Sequence, residues 1–160
     1  MEIDSTDRAI LYLLQAESRA DFTHDDIAER IDVSSSTVSN RIQRLEEDGV
    51  LEKFDPVIDY EAAGVPHHIL FVCTAPIAER KTLCKEVIEV SNVVNTRELL
   101  TGSKNLHVEA IGMKAEDIEA VTEDLDALGL EINGSEILRT EYSRPFDHFG
   151  SEVVDDSAAE

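Results

Sequence analysis

Apolar side chains recur with helical spacing through the first 48 residues. Residues 6–16 carry Ile10, Leu13 and Leu14 on one stripe with Ile3 just ahead, and Asp4, Ser5 or Thr6 stands where an N-cap belongs. Thr23 followed three residues on by Asp26 is an acidic variant of the capping box. The short helix it opens turns Ile27, Ala28 and Ile31 inward, and Asp32-Val33 makes a tight turn after it. A third helix starts at Ser34 or Ser35 and reaches about Asp48. In it Val38, Ile42 and Leu45 fall at i, i+4 and i+7, and Gly49 stands where a helix ends. Two short β-like runs, 50–54 and 57–60, are broken by Asp55-Pro56. Three short helices and a β-ribbon predict a winged helix-turn-helix over residues 1–60.

Gly64-Val65-Pro66 closes a hinge at 61–66, and beyond it the period changes. Strands are predicted at 67–75, 93–100 and 106–113, with a last, broken one within 130–142. Helices fall at 77–91, with Leu83, Val87 and Val90 inward, and at 115–128, with Ile118, Val121, Leu125 and Leu128 on one face and Gly129 as cap. Strand-helix-strand-strand-helix-strand is the order of the ferredoxin-like split βαβ unit, placed at 67–144. The fold class is therefore α+β: an N-terminal winged helix-turn-helix plus a C-terminal ferredoxin-like βαββαβ domain. Residues 145–160 read as a disordered acidic tail whose charge solvates.

Composition refines this picture. A chain of 160 residues fits one ordinary domain or two small ones, and 42% hydrophobic residues support packed cores. With 5% aromatics and no Trp, those cores must be built from Leu, Ile, Val and Ala. No apolar run approaches the length that spans a bilayer, and Met1-Glu2-Ile3-Asp4 is acidic where a signal peptide is basic, so a cytoplasmic protein with no membrane partner is expected. Cys73 and Cys84 read as reduced, buried, poorly reactive thiols. The net charge of −21, from 35 acidic against 14 basic residues, speaks by itself against a nucleic-acid partner. The acidity is spread along the whole chain, however, as an adaptation to concentrated salt would be. At molar salt the Debye length is about 3 Å, so repulsion from phosphate is largely screened.

The chain resembles the Lrp/AsnC, or feast/famine, family of transcription regulators. Ile3-Asp4, Asp7-Arg8 and Ile10-Leu11 carry the likeness at the start, and Asp26-Ile27-Ala28-Glu29-Arg30 in the second helix. Val33-Ser34, Ser36-Thr37-Val38, Arg41-Ile42, Arg44-Leu45-Glu46 and Gly49-Val50-Leu51 continue it. The second half is similar to the family's ligand-sensing domain, with Val93-Val94 by the second strand and Thr101-Gly102 in the turn, so the likeness spans residues 3–141. Together with the acidity it points to a halophilic archaeon. The resemblance implies a sequence-specific regulator of double-stranded DNA, a homodimer or higher homo-oligomer formed by the ferredoxin-like domain, and an amino acid or other small metabolite as effector.

Two groups of residues carry that chemistry. Opposite the buried stripe of the third helix stand Ser35, Ser36, Thr37, Asn40, Arg41 and Arg44, with Lys53 on the wing. Asn pairs bidentately with adenine, Arg with guanine or phosphate, and hydroxyls with either. The bland alternative pairs Arg41 and Arg44 with Glu46, Glu47 or Asp48. On the favoured reading, removing both arginines abolishes operator binding and leaves the fold intact. The resemblance places the effector near the loop joining the second and third strands, at Thr101, Gly102, Ser103 and Asn105. Asn105 stands where the family commonly has Asp. A sirohaem-decarboxylase-like enzyme on the same fold is the rival reading, yet 56–66 contains neither Arg nor His, and no nucleophile elbow, P-loop or metal motif occurs. A third reading is an effector-independent module that binds protein. His67 and His68, adjacent on a strand, point to opposite faces, so neither a metal site nor a resident cofactor is expected.

Overall fold

Asp4 opens helix α1 (Ser5–Ala16) through a reciprocal pair of bonds. Its carboxylate accepts the Asp7 N–H at 2.9 Å, and the Asp7 carboxylate accepts the Asp4 N–H at 3.2 Å. Helix α2 (His24–Arg30) has the expected Thr23–Asp26 box, with the Thr23 N–H donating to Asp26 at 2.7 Å. Helix α3 (Ser35–Glu47) is capped by Ser34, whose Oγ accepts the Thr37 N–H at 3.1 Å. Between α2 and α3, Asp32 takes φ 53°, a left-handed turn that Asp tolerates better than most side chains. Gly49, at φ 69°, closes α3 in a Schellman arrangement, with Gly49 N–H on the Glu46 carbonyl at 3.0 Å and Val50 N–H on that of Leu45 at 2.9 Å. Ile10, Leu13, Ile27, Val38 and Leu45 form the buried centre of the three helices.

The computed structural model describes residues 2–17 and 22–149. They fall into two compact units, Met1–Pro56 with Tyr142–Glu160, and Val57–Glu141. The division lies at Pro56/Val57, so the expected hinge at 61–66 belongs wholly to the second unit. The expected β-ribbon is absent: 50–54 and 57–60 hold no strand. Asp55-Pro56 fits neither tight hairpin turn: one needs positive φ at both central residues, which proline's φ near −65° forbids, and the other favours glycine at the first, where Asp55 stands before a proline. The tail also departs from expectation. Asp147–Phe149 form a 3-10 turn beside α1, with Phe149 packed on the helical core. The rest of the expected acidic tail, 150–160, lies outside the described residues.

The second unit is one antiparallel sheet with two helices. Its strands are β1 (His67–Thr74), β2 (Val93–Glu98), β3 (Leu106–Gly112) and β4 (Glu131–Ile137), in the order β2-β3-β1-β4. Helices α4 (Arg80–Val87) and α5 (Ala115–Ala127) supply Leu83, Val87, Val121 and Leu125 to a core shared with Phe71, Cys73, Leu106, Val108 and Ala110. α4 is shorter than the predicted 77–91 because the chain turns after Pro76 and again before Asn92, which adopts φ 70°. Register puts His68, Leu70 and Val72 of β1 opposite Ile111, Glu109 and His107 of β3, on the face turned away from that core. This is the split βαβ arrangement expected from the element order.

A Cβ at Gly49 would meet nothing within 4 Å, so Gly49→Ala should lose only the left-handed backbone preference, about 1–2 kcal/mol. Urea unfolding of the helical unit measures it, and a much larger loss would mean that packing, not backbone, selects glycine there.

Candidate nucleic-acid interface and effector loop

Helix α3 sorts its side chains by angle. With Val38, Ile42 and Leu45 inward, Asn40 points about 165° away from the buried stripe, Arg44 about 130° and Arg41 only about 70°. The outermost line is thus Ser36, Asn40, Gln43 and, at the end of the helix, Glu47, with Ser39 beside it, all five exposed. Among the described residues Asn40 and Ser39 have no hydrogen-bond partner, while Gln43 donates to Glu47 at 2.8 Å. Ser36 and Thr37 bond the capping Ser34 hydroxyl at 2.9 and 2.8 Å, and Ser35 bonds Asp25 of α2. Ser39 and Gln43 were missed by the sequence reading, although their angle on the helix could have found them.

The two arginines do something else. Arg41 donates to Asp4 at 2.6 Å and to Asp7 at 3.2 Å, and Arg44 donates to Asp7 at 2.6 Å. Asp7 is fully buried, whereas the Arg41 and Arg44 side chains keep 28% and 41% of their surface. Both guanidinium groups therefore neutralise a buried carboxylate on α1 and fasten α3 to it. Their partners are not Glu46, Glu47 or Asp48, and the expectation that both could be removed without harm to the fold is corrected by the burial of Asp7. The Asp4 carboxyl is held below its ordinary value of 3.8, first by the Asp7 backbone N–H and then, against the effect of burial, by hydrogen bonding and charge from Arg41. Lys53 is exposed and pairs with Asp55, which raises its pKa.

In the effector loop Asn105 is entirely buried. Its Oδ1 accepts the Ala75 N–H at 2.8 Å and its Nδ2 donates to the Ala75 carbonyl at 2.9 Å, so its carboxamide is consumed in joining the start of β3 to the end of β1. That corrects its assignment as a ligand contact and explains why Asn stands here, since an ionised Asp offers no donor to the carbonyl. Thr101 donates to the Ser103 carbonyl at 2.9 Å, and buried Arg80 holds the Thr101 carbonyl at 3.2 Å and Glu98 at 2.8 Å. Gly102 lines a cleft of about 350 Å³ with Thr74, Ala75, Pro76, Ile77, Gly129 and Glu131. Sequence reasoning passed over Arg80.

His68 meets the Tyr60 ring edge-on at 5.2 Å, and no cluster of three His, Cys, Asp or Glu side chains that could hold a metal occurs among the described residues. Burial pushes the Cys73 thiol up to about 11, whereas Cys84 is only half-buried, less than expected, with its Sγ 3.3 Å from Thr96 Oγ1. No helix among the described residues is long and apolar enough to cross a membrane.

A three-helix body that turns the polar flank of its third helix outward, in a chain with a separate α+β sheet unit, has the plan of a DNA-binding transcription regulator. Residues 3–52 match the family model for winged helix-turn-helix DNA-binding. An HTH-type transcriptional regulator of Pyrococcus horikoshii is 30% identical over 119 residues, covering 74% of this chain and 73% of its own length. The HTH-type transcriptional regulator LysM of Sulfurisphaera tokodaii is 28% identical over 140 residues, 86% of this chain and 96% of its own. Among solved structures, MtbAldR superposes with a TM-score of 0.72 at 23% identity, covering 89% and 98% of the two chains. A transcriptional regulator of Neisseria meningitidis in complex with L-Met superposes at 0.67 and 18%, covering 90% and 94%. The chain belongs to the HTH-type transcriptional regulators.

Three outcomes test the site's construction. Arg41→Ala with Arg44→Ala leaves the Asp7 carboxylate buried and unpaired and should cost the helical unit about 3–5 kcal/mol in urea unfolding. Adding Asp7→Ala should recover part of that loss; no recovery would separate the arginines from Asp7. Asn105→Asp removes a buried donor and should destabilise the sheet unit by about 1–3 kcal/mol or more, read by the same method. Because folding favours the charged form of Asp4, its contribution is complete above 3.8 and is lost as the pH falls through the lowered value. An acid titration of α1 helicity in Asp4→Asn should lack that step.

Proposed function

We propose that this protein is a cytoplasmic, sequence-specific regulator from a halophilic archaeon that reads palindromic operators as a homodimer or larger homo-oligomer. The observation that carries the reading is the outward flank of α3, an exposed line of hydroxyl and amide groups with no acidic side chain in its first two turns. That half of the helix enters the major groove, with Ser36, Thr37 and Asn40 toward base edges and Ser35 at the phosphate-facing start. Arg41 and Arg44 hold the helix in register and offer their remaining exposed surface to phosphate, joined by Lys53 from the segment after the helix. Glu46, Glu47 and Asp48, at the far end of α3, keep that end away from the backbone.

The sheet unit forms the oligomer. Leu70, Val72 and Ile111 are half-buried on the face that neither α4 nor α5 of their own unit covers, around an Arg97–Glu109 pair at 3.0 Å. A second copy seated there buries these side chains and sets two α3 helices a fixed distance apart. The effector is an amino acid or similar metabolite bound at the Gly102 cleft beside Thr101 and Ser103. The L-Met complex of the Neisseria protein supports this class of ligand.

Asn40→Ala should weaken operator binding by roughly 5- to 150-fold with the fold unchanged, the range for a lost bidentate base contact. Fluorescence anisotropy at molar salt measures it, and unchanged affinity refutes the α3 assignment. With at most three cations on the face, log K against log salt should slope no more steeply than about −3 per subunit; a steeper line demands phosphate contacts elsewhere.

A further inference from the structure

The C-terminal segment packs where a solvating tail has no reason to pack. Two of the chain's five Phe residues, Phe146 and Phe149, lie within four positions of each other in it, although aromatics make up only 5% of the sequence. Their rings meet edge-on at 5.0 Å, and the Phe149 N–H closes the turn onto the Phe146 carbonyl at 2.9 Å. The Phe146 N–H donates to Gln15 Oε1 at 3.4 Å, and Phe149 joins Leu11, Leu14, Val50 and Phe54 around a groove of about 380 Å³ beside α1, with Lys53 and Asp55 at its polar side. The helical unit is therefore built from two separated stretches of chain, and the last of them arrives after the whole sheet unit.

We propose that Phe149 is a positioning residue for DNA binding, and that the segment carrying it straps α1 so that α1 holds α3 in register. The inference rests on the DNA-binding reading above. α1 links the two ends of the arrangement: its C-terminal half carries Leu11, Leu14 and Gln15 under the strap, and its N-terminus carries the Asp4 and Asp7 carboxylates that grip Arg41 and Arg44. Loosening the strap frees the first half of this chain of contacts and moves the second. Phe149 itself is half-buried against the helical core and, being uncharged and apolar, offers no group to a phosphate.

Because the chain has no Trp, Phe149→Trp in the full-length protein provides a single emission reporter. Docking predicts a blue-shifted spectrum that moves red when Leu14→Ser is added, and a solvent-like spectrum in the first variant overturns the proposal. Against an operator selected from random duplexes by the unaltered protein, Phe149→Ser should bind on the order of 3- to 30-fold more weakly. Helix content and the salt slope should stay the same, and Phe149→Tyr should restore most of the affinity. Unchanged affinity in Phe149→Ser overturns the positioning role, and a changed salt slope replaces it with direct contact to the backbone. If the unaltered protein selects no duplex, the regulator reading and the affinity claim fall together, while the emission still reports docking, so the two failures are told apart.

Discussion

A single carboxylate with no access to solvent sets the geometry of the DNA-binding unit. Asp7 is fully buried at the first turn of α1, where it accepts one backbone N–H and two guanidinium groups from α3. A charge in that position is tolerable only while all its partners are present, so α1 and α3 have essentially one way to meet. Such a buried network adds little net stability over a well-packed apolar contact, and its effect lies in specifying register. The helix that presents side chains to solvent is therefore aimed by the helix that caps itself on the same residue.

That use of the arginines changes what an acidic regulator has left for its target. Over its first two turns the outward line of α3 is neutral, made of Ser36, Ser39 and Asn40, with Gln43 and Glu47 following, and the cations beside it are largely occupied by the protein's own carboxylates. On the proposed reading recognition falls to hydrogen bonds and shape, which lose little at high ionic strength, instead of to counterion release, which loses most.

Local chemistry was legible in the sequence, and distant pairing was not. The Thr23–Asp26 box, the Ser34 cap and the Gly49 stop each act within four residues, and the helices begin and end where those signals stand. The order of elements along the second unit followed from the change of period and the turn positions, and comparison with solved structures bears out the fold class. Arg41 and Asp7 are 34 positions apart, and Asn105 and Ala75 are 30 apart. Nothing in the neighbourhood of either residue announces its partner. The β-ribbon expected from the runs 50–54 and 57–60 does not form because Asp55-Pro56 suits neither tight hairpin turn, and Phe149 falls in a tail whose acidic end hides its apolar start.

The split origin of the helical unit also bears on how the protein is made. Its three helices leave the ribosome first, but the Phe149 contact must wait for residues 57–149, roughly 5–20 s at ordinary rates of synthesis. A chain cut before Phe149 therefore presents α3 without the aromatic contact on α1, and the helical unit is complete only after the sheet unit has been synthesised.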